Sequence, residues 1–78
     1  HDCILNDFVH ISPGARLGGG VEIGEGTHIG INASVIPNLK IGKWCVIGAG
    51  AVIINNIPDY SIVVGNPGRI IKYNDFEK

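Results

Sequence analysis

Every sixth residue from Leu5 to Ile53 is Ile, Leu or Val: Leu5, Ile11, Leu17, Ile23, Ile29, Val35, Ile41, Ile47 and Ile53. These three residue types make up roughly a third of the chain, so an unbroken series has a chance probability on the order of a few in 10⁵ before a phase is chosen. The neighbouring phases are ordered too. Two residues before each aliphatic stand Cys3, Val9, Ala15, Val21, Thr27, Ala33, Leu39, Cys45 and Ala51, all small or apolar. One residue after it stand Ser12, Gly18, Gly24, Gly30, Gly42 and Gly48, with Asn6 and Ile36 as exceptions. Three residues after it stand Gly14, Gly20, Gly26, Asn32, Asn38 and Gly50, a pattern that Phe8 and Trp44 break.

Residues spaced by two point to the same side of a strand, so pairs such as Val21 and Ile23 face one interior. The remaining residues of each hexapeptide turn the chain. Pro13-Gly14 and Pro37-Asn38 suit a type II turn, in which Pro presets φ and Gly or Asn accepts a positive one. A short strand and a corner every six residues excludes a hairpin meander, which needs longer strands and reversing turns. It implies a solenoid: a parallel β-helix whose three-sided coils of about 18 residues stack on one another. The expected stack is about 2.7 coils, too short to stand without caps, further coils or a partner chain over its ends.

Composition narrows the function. With 78 residues there is one small domain. Hydrophobic residues at 45% against charged residues at 17% argue for a packed chain rather than disorder. A net charge of −1 offers nothing to nucleic acid or an anionic membrane. Apolar runs are too short for a transmembrane helix, and no signal peptide is apparent. The chain opens on His rather than Met, so a piece of a longer protein is expected. Cys3 and Cys45 fall on different faces of an 18-residue coil and are expected as core residues, not a disulfide.

After Ile53 the period stops. The expected division is a β-helix domain over residues 1–54 and a C-terminal extension over 55–78. In the extension, Asn55 to Asp59 reads as a loop, Ser61 to Val64 as a strand, Gly65 to Gly68 as a turn, and Arg69 to Lys78 as a short strand and charged tail.

The repeat resembles that of the hexapeptide-repeat acyltransferases, which implies a left-handed β-helix; the repeat alone does not fix the hand, and crossover rules would favour the opposite one. His1-Asp2-Cys3, the string from Asp7 to Gly14, Gly30 to Val35, Ile47 to Ala51 and Val64 to Pro67 resemble more closely a subgroup of sialic acid O-acetyltransferases and bacterial nucleotide-amino-sugar N-acetyltransferases. Asn6 stands where that subgroup usually has Gly, a change at a corner. The resemblance implies acetyl-CoA as co-substrate, a sugar or nucleotide-sugar acceptor, and a homotrimer with the CoA site between neighbouring prisms. It also implies a separate N-terminal domain, outside this sequence, that holds the nucleotide sugar.

The resemblance assigns His1 as general base and Asp2 as its partner. Histidine titrates near neutral pH, and a carboxylate beside it raises its basicity and fixes its tautomer. His10 is implied as the contact to the acetyl group, where a donor could polarise the thioester carbonyl. Ile31 and Ala49, 18 residues apart and on one corner with Pro13, are implied as backbone contacts to acetyl-CoA. Ordinary turn residues would look the same there, and the neighbouring Gly30 and Gly48 read as structural. Gly18-Gly19-Gly20 reads as a corner and not a phosphate loop.

His28 lies one coil above His10 and reads as a solvated face residue. A pair of stacked histidines also invites a zinc reading, as in proteins resembling γ-type carbonic anhydrases, but the third histidine, His1, falls on another corner and no metal is expected. Phe8 and Trp44 share a corner with Gly26 and suggest a subunit contact, an adenine shelf or a plain apolar patch. The expected function is therefore acetyl transfer from acetyl-CoA to an amine or hydroxyl, with no covalent enzyme intermediate. The alternatives are the zinc enzyme on the same fold or an inactive structural β-helix. CoA chemistry and unpaired cysteines suit the cytoplasm.

Overall fold

Each hexapeptide becomes a two-residue strand in the computed structural model, which describes residues 2–73. The strands are β1 (Ile4–Leu5), β2 (His10–Ile11), β3 (Arg16–Leu17), β4 (Glu22–Ile23), β5 (His28–Ile29), β6 (Ser34–Val35), β7 (Lys40–Ile41), β8 (Val46–Ile47) and β9 (Val52–Ile53). In every one the second residue is the aliphatic of the repeat. Two longer strands follow, β10 (Ser61–Val64) and β11 (Arg69–Tyr73).

Three sheets form the faces of a prism. The first face is β1, β4 and β7; the second is β2, β5, β8, β10 and β11; the third is β3, β6 and β9. Parallel registers 18 residues apart put Leu5 under Ile23 and Ile41, Ile11 under Ile29 and Ile47, and Leu17 under Val35 and Ile53. Like side chains therefore stack in columns through the interior, and Ile23, Ile29, Ile41 and Ile47 are fully buried. The first coil is covered on one side only, so Leu5 is 49% exposed where Ile23 is 0%. Cys45 is buried and Cys3 half-buried, and both are free thiols.

The corners explain the second periodicity. Phe8, Gly14, Gly20, Gly26, Asn32, Asn38, Trp44 and Gly50 all have φ between 54° and 78°, the left-handed region. Phe8 and Trp44 break the composition of this phase and keep its backbone. The slot at Gly26 is closed for a second reason, because a Cβ there would fall inside the Trp44 indole. Corner amides are tied between coils: Asn32 N donates to Pro13 O (3.1 Å), Gly50 N to Ile31 O (2.8 Å), and Gly26 N to Asp7 O (2.9 Å). Thr27 fills an inward slot without leaving its hydroxyl unpaired; Oγ1 donates to Gly42 O (2.7 Å) and accepts from Cys45 N (3.0 Å).

The repeat does not end where the six-residue period does. Ile57, expected in a loop, is buried and forms a parallel bridge with Ile41 on the first face. β10 then stacks on β8, with Ile62 over Val46 and Val63 over Ile47. Both offsets are 16 residues, so the last coil is two residues short and a count by sixes loses it. Side chains replace what the shortened backbone does not reach: Asn56 Oδ1 accepts from Lys40 N (2.8 Å) and Asp59 Oδ1 from Lys43 N (2.9 Å). The stacked coils thus continue past residue 54. The turn at Gly65 to Gly68 leads β11 back antiparallel along β10, with a register shift between Ile62 and Val63. Among the described residues no helix is long and apolar enough to cross a membrane.

Candidate functional site

The second face carries an outward column of His10, His28, Val46 and Ile62, one residue from each successive coil. Its position follows from strand alternation: each precedes an inward aliphatic and must point out. The two imidazoles are stacked, with ring centroids 4.7 Å apart and planes 18° from parallel. That separation is the spacing of neighbouring strands, so the in-register backbone brings the rings together. His28 Nε2 lies 3.2 Å from Ser12 Oγ, and the two share a hydrogen bond. Ser12 is only 8% exposed, which shields this bond from competing water.

The face turns into the third face through the corner of Pro13, Ile31 and Ala49. Ile31 is 53% exposed and Ala49 is exposed, so both corner residues are accessible from outside. The amides that make the ladder bonds at this corner belong to Asn32 and Gly50, not to Ile31 and Ala49. Gly30 holds the coils close beside it: a Cβ there would meet Ile47 O at 2.7 Å and Ala49 N at 2.8 Å, tighter than real contacts allow. Of the residues singled out in the sequence, His10, Ile31 and Ala49 therefore gather on one face and its adjoining corner.

Asp2 is not with them. It is exposed and precedes β1, at the corner where the third face turns into the first. In a three-sided coil that corner is opposite the second face, so the core separates Asp2 from His10 within one chain. His1 lies outside the described residues. Among those residues no cluster of three or more His, Cys, Asp or Glu could hold a metal ion.

The sequence reading missed the engagement of His28 and Ser12. The available signal was the serine itself, since the equivalent slots on the coils above are Gly30 and Gly48. Phe8 is 78% exposed, whereas Trp44 is half-buried against Gly26. Of the two free thiols Cys45 is the protected one: burial pushes its pKa up, and it donates to Pro58 O at 3.2 Å.

Residues 20–55 match the family described as Bacterial transferase hexapeptide (six repeats). Over 91% of its length the chain superposes on the acetyltransferase domain of PglB from Neisseria gonorrhoeae, in complex with acetyl coenzyme A, with a TM-score of 0.90 and 48% identity; it covers 35% of that chain. A variant of perosamine N-acetyltransferase from Caulobacter crescentus, in complex with CoA and GDP-perosamine, is matched at the same TM-score with 38% identity, over 91% of this chain and 34% of that one. Serine acetyltransferase of Haemophilus influenzae is 35% identical over 96% of this chain and 31% of its own length. By repeat and fold the chain is a hexapeptide-repeat β-helix, and its sequence is similar to those of acetyltransferases. It is the left-handed β-helix that the resemblance implied, and it spans about a third of the length of the curated relatives it matches.

Proposed function

We propose that this β-helix is the donor-binding part of an acetyltransferase that moves an acetyl group from acetyl-CoA to an amine or hydroxyl of a sugar or nucleotide sugar. The observation that carries the reading is the gathering of His10 with the Ile31 and Ala49 corner on one accessible edge. Neighbours of the same fold, 38–48% identical, are bound to acetyl-CoA or CoA, one of them with GDP-perosamine. The small residues in and beside that corner, Gly30, Gly48, Ala49 and Gly50, give a long cofactor close approach along the axis. His10 supplies a hydrogen-bond donor for the thioester oxygen.

The chemistry is direct transfer. A base takes the proton from the acceptor amine or hydroxyl, and the freed lone pair attacks the thioester carbonyl. The carbonyl oxygen becomes an oxyanion, stabilised by the His10 donor. The intermediate collapses, the C–S bond breaks, and CoA leaves as a thiolate that takes up the proton the base removed, so that CoA departs as its thiol and the base is regenerated. His1, oriented by Asp2, is the base in this reading; its support is the His1-Asp2-Cys3 string and the ordinary acid–base range of histidine.

This reading requires more than one chain. Asp2 and His10 stand at opposite sides of the prism, so a site that uses both draws Asp2 from one chain and His10 from another. A homotrimer with a donor site between adjacent prisms meets that requirement with closed symmetry. The cytoplasm is the compartment that supplies acetyl-CoA and keeps both thiols reduced.

The test is calorimetric titration of the chain with acetyl-CoA, with sedimentation equilibrium on the same samples. Saturable binding near one site per chain, weakened about five-fold or more by His10→Ala, is expected. The expected mass is that of three chains. Absence of heat at millimolar ligand, or binding indifferent to His10→Ala, would count against the reading, and a monomer that binds normally would refute the shared site.

A further inference from the structure

We propose that His28 is a positioning residue for the acyl donor, acting through His10 and anchored by Ser12. The inference rests on the reading of His10 as the contact to the acetyl group and extends it to a residue of the next coil.

Three features belong together. His28 is in direct register with His10 on the neighbouring strand. Its ring lies flat on the His10 ring, at 4.7 Å and 18°. Its Nε2 shares a hydrogen bond with Ser12 Oγ at 3.2 Å, and Ser12 belongs to the coil that carries His10, two residues further on. Register alone would bring two exposed side chains near each other but would leave both free to rotate about their side-chain bonds. The bond to a nearly buried hydroxyl fixes the plane of His28. The stack then transfers that plane to His10. An isolated exposed imidazole samples several rotamers, each aiming its N–H elsewhere, and a donor to a developing oxyanion must be aimed within roughly 10–20°. Ser12, His28 and His10 thus form a closed loop of contacts that holds the donor from one side and leaves its edge accessible.

The rest of the column argues for selectivity in this arrangement. Above His28 the outward column continues as Val46 and Ile62, which carry no donor. The stacked, hydrogen-bonded pair is therefore confined to the end of the face where His10 stands.

Positioning has a signature that folding does not. Acetyl-CoA and CoA differ by the acetyl group alone, so a residue that aims His10 at the thioester affects the first ligand and not the second. The experiment is calorimetric titration of the 78-residue chain with acetyl-CoA and separately with CoA, for wild type, His10→Ala, His28→Ala, His28→Phe and Ser12→Ala. Wild type is expected to prefer acetyl-CoA, and His10→Ala to abolish the preference. His28→Ala and Ser12→Ala are expected to reduce it about three- to five-fold with CoA affinity unchanged. His28→Phe, which keeps a ring to stack but loses the bond to Ser12, is expected between wild type and His28→Ala.

If His10→Ala removes the preference while His28→Ala and Ser12→Ala retain it, the proposal is overturned and the reading of His10 stands. Equal losses for both ligands in the His28 and Ser12 variants, with lowered thermal midpoints, would reduce His28 to a structural residue and also overturn it. A wild type with no preference would sink the reading of His10 and this inference with it.

Discussion

Thr27 illustrates how a single side chain can satisfy two coils at once. It is completely buried at an inward position that Val9 fills one coil earlier and Val21 one hexapeptide earlier, yet its hydroxyl bridges Gly42 O and Cys45 N. Thr27→Val keeps the shape and leaves a buried donor and acceptor unpaired, so a loss of about 1–3 kcal/mol is expected in denaturant unfolding. A neutral effect would mean that the two backbone groups find other partners. Cys45 makes a pH-dependent contribution. Burial raises its folded pKa above the unfolded one, so the stabilisation is fully present below the ordinary thiol range and is lost as pH rises through the folded value. Wild type is expected to lose more stability between neutral pH and pH of about 10 than Cys45→Ala, a residue that already fills this phase at Ala33 and Ala51. Parallel alkaline limbs for the two proteins would contradict this. At this scale the sequence was legible where composition tracked geometry, as in the inward aliphatics and the Gly or Asn corners. It was silent on partnerships such as Ser12 with His28, because hydrogen bonds between coils join residues 15–18 apart whose types alone do not name the pair.

The strands are only two residues long through nine hexapeptides, so none of them holds itself; each is fixed by the coils on either side. Regularity is what made the faces readable, and irregularity is where the reading stopped. The last coil is shortened by two residues, and its closure depends on polar side chains that no apolar period reports. Asp59 is exposed, but its carboxylate accepts from Lys43 N and holds the shortened corner under Tyr60, whose amide donates to Lys43 O (2.8 Å). Asp59→Ala is expected to destabilise the chain by about 1–2 kcal/mol, with Asp59→Asn retaining much of the stability because its carbonyl can accept the same bond. Chemical denaturation decides it; equal stability of the two variants would show that the corner is held by the Tyr60 amide alone.

Three faces of a stacked coil set the candidate residues of the whole molecule apart in space. His10, Ile31 and Ala49 occupy one face and its edge, and Asp2 the opposite corner. The fold was readable from the period, its hand was not, and the last coil escaped it. The residues of the candidate site came from family likeness, and the structure adds which of them lie together. The most direct test of the central claim is an amide-resolved NMR titration of the chain with acetyl-CoA. The largest shifts are expected at His10, Ile31 and Ala49 and their immediate neighbours on the second face and its corner, as donor binding there requires. Shifts centred instead on the Phe8–Trp44 corner, on the first face, or spread evenly over the prism would contradict it.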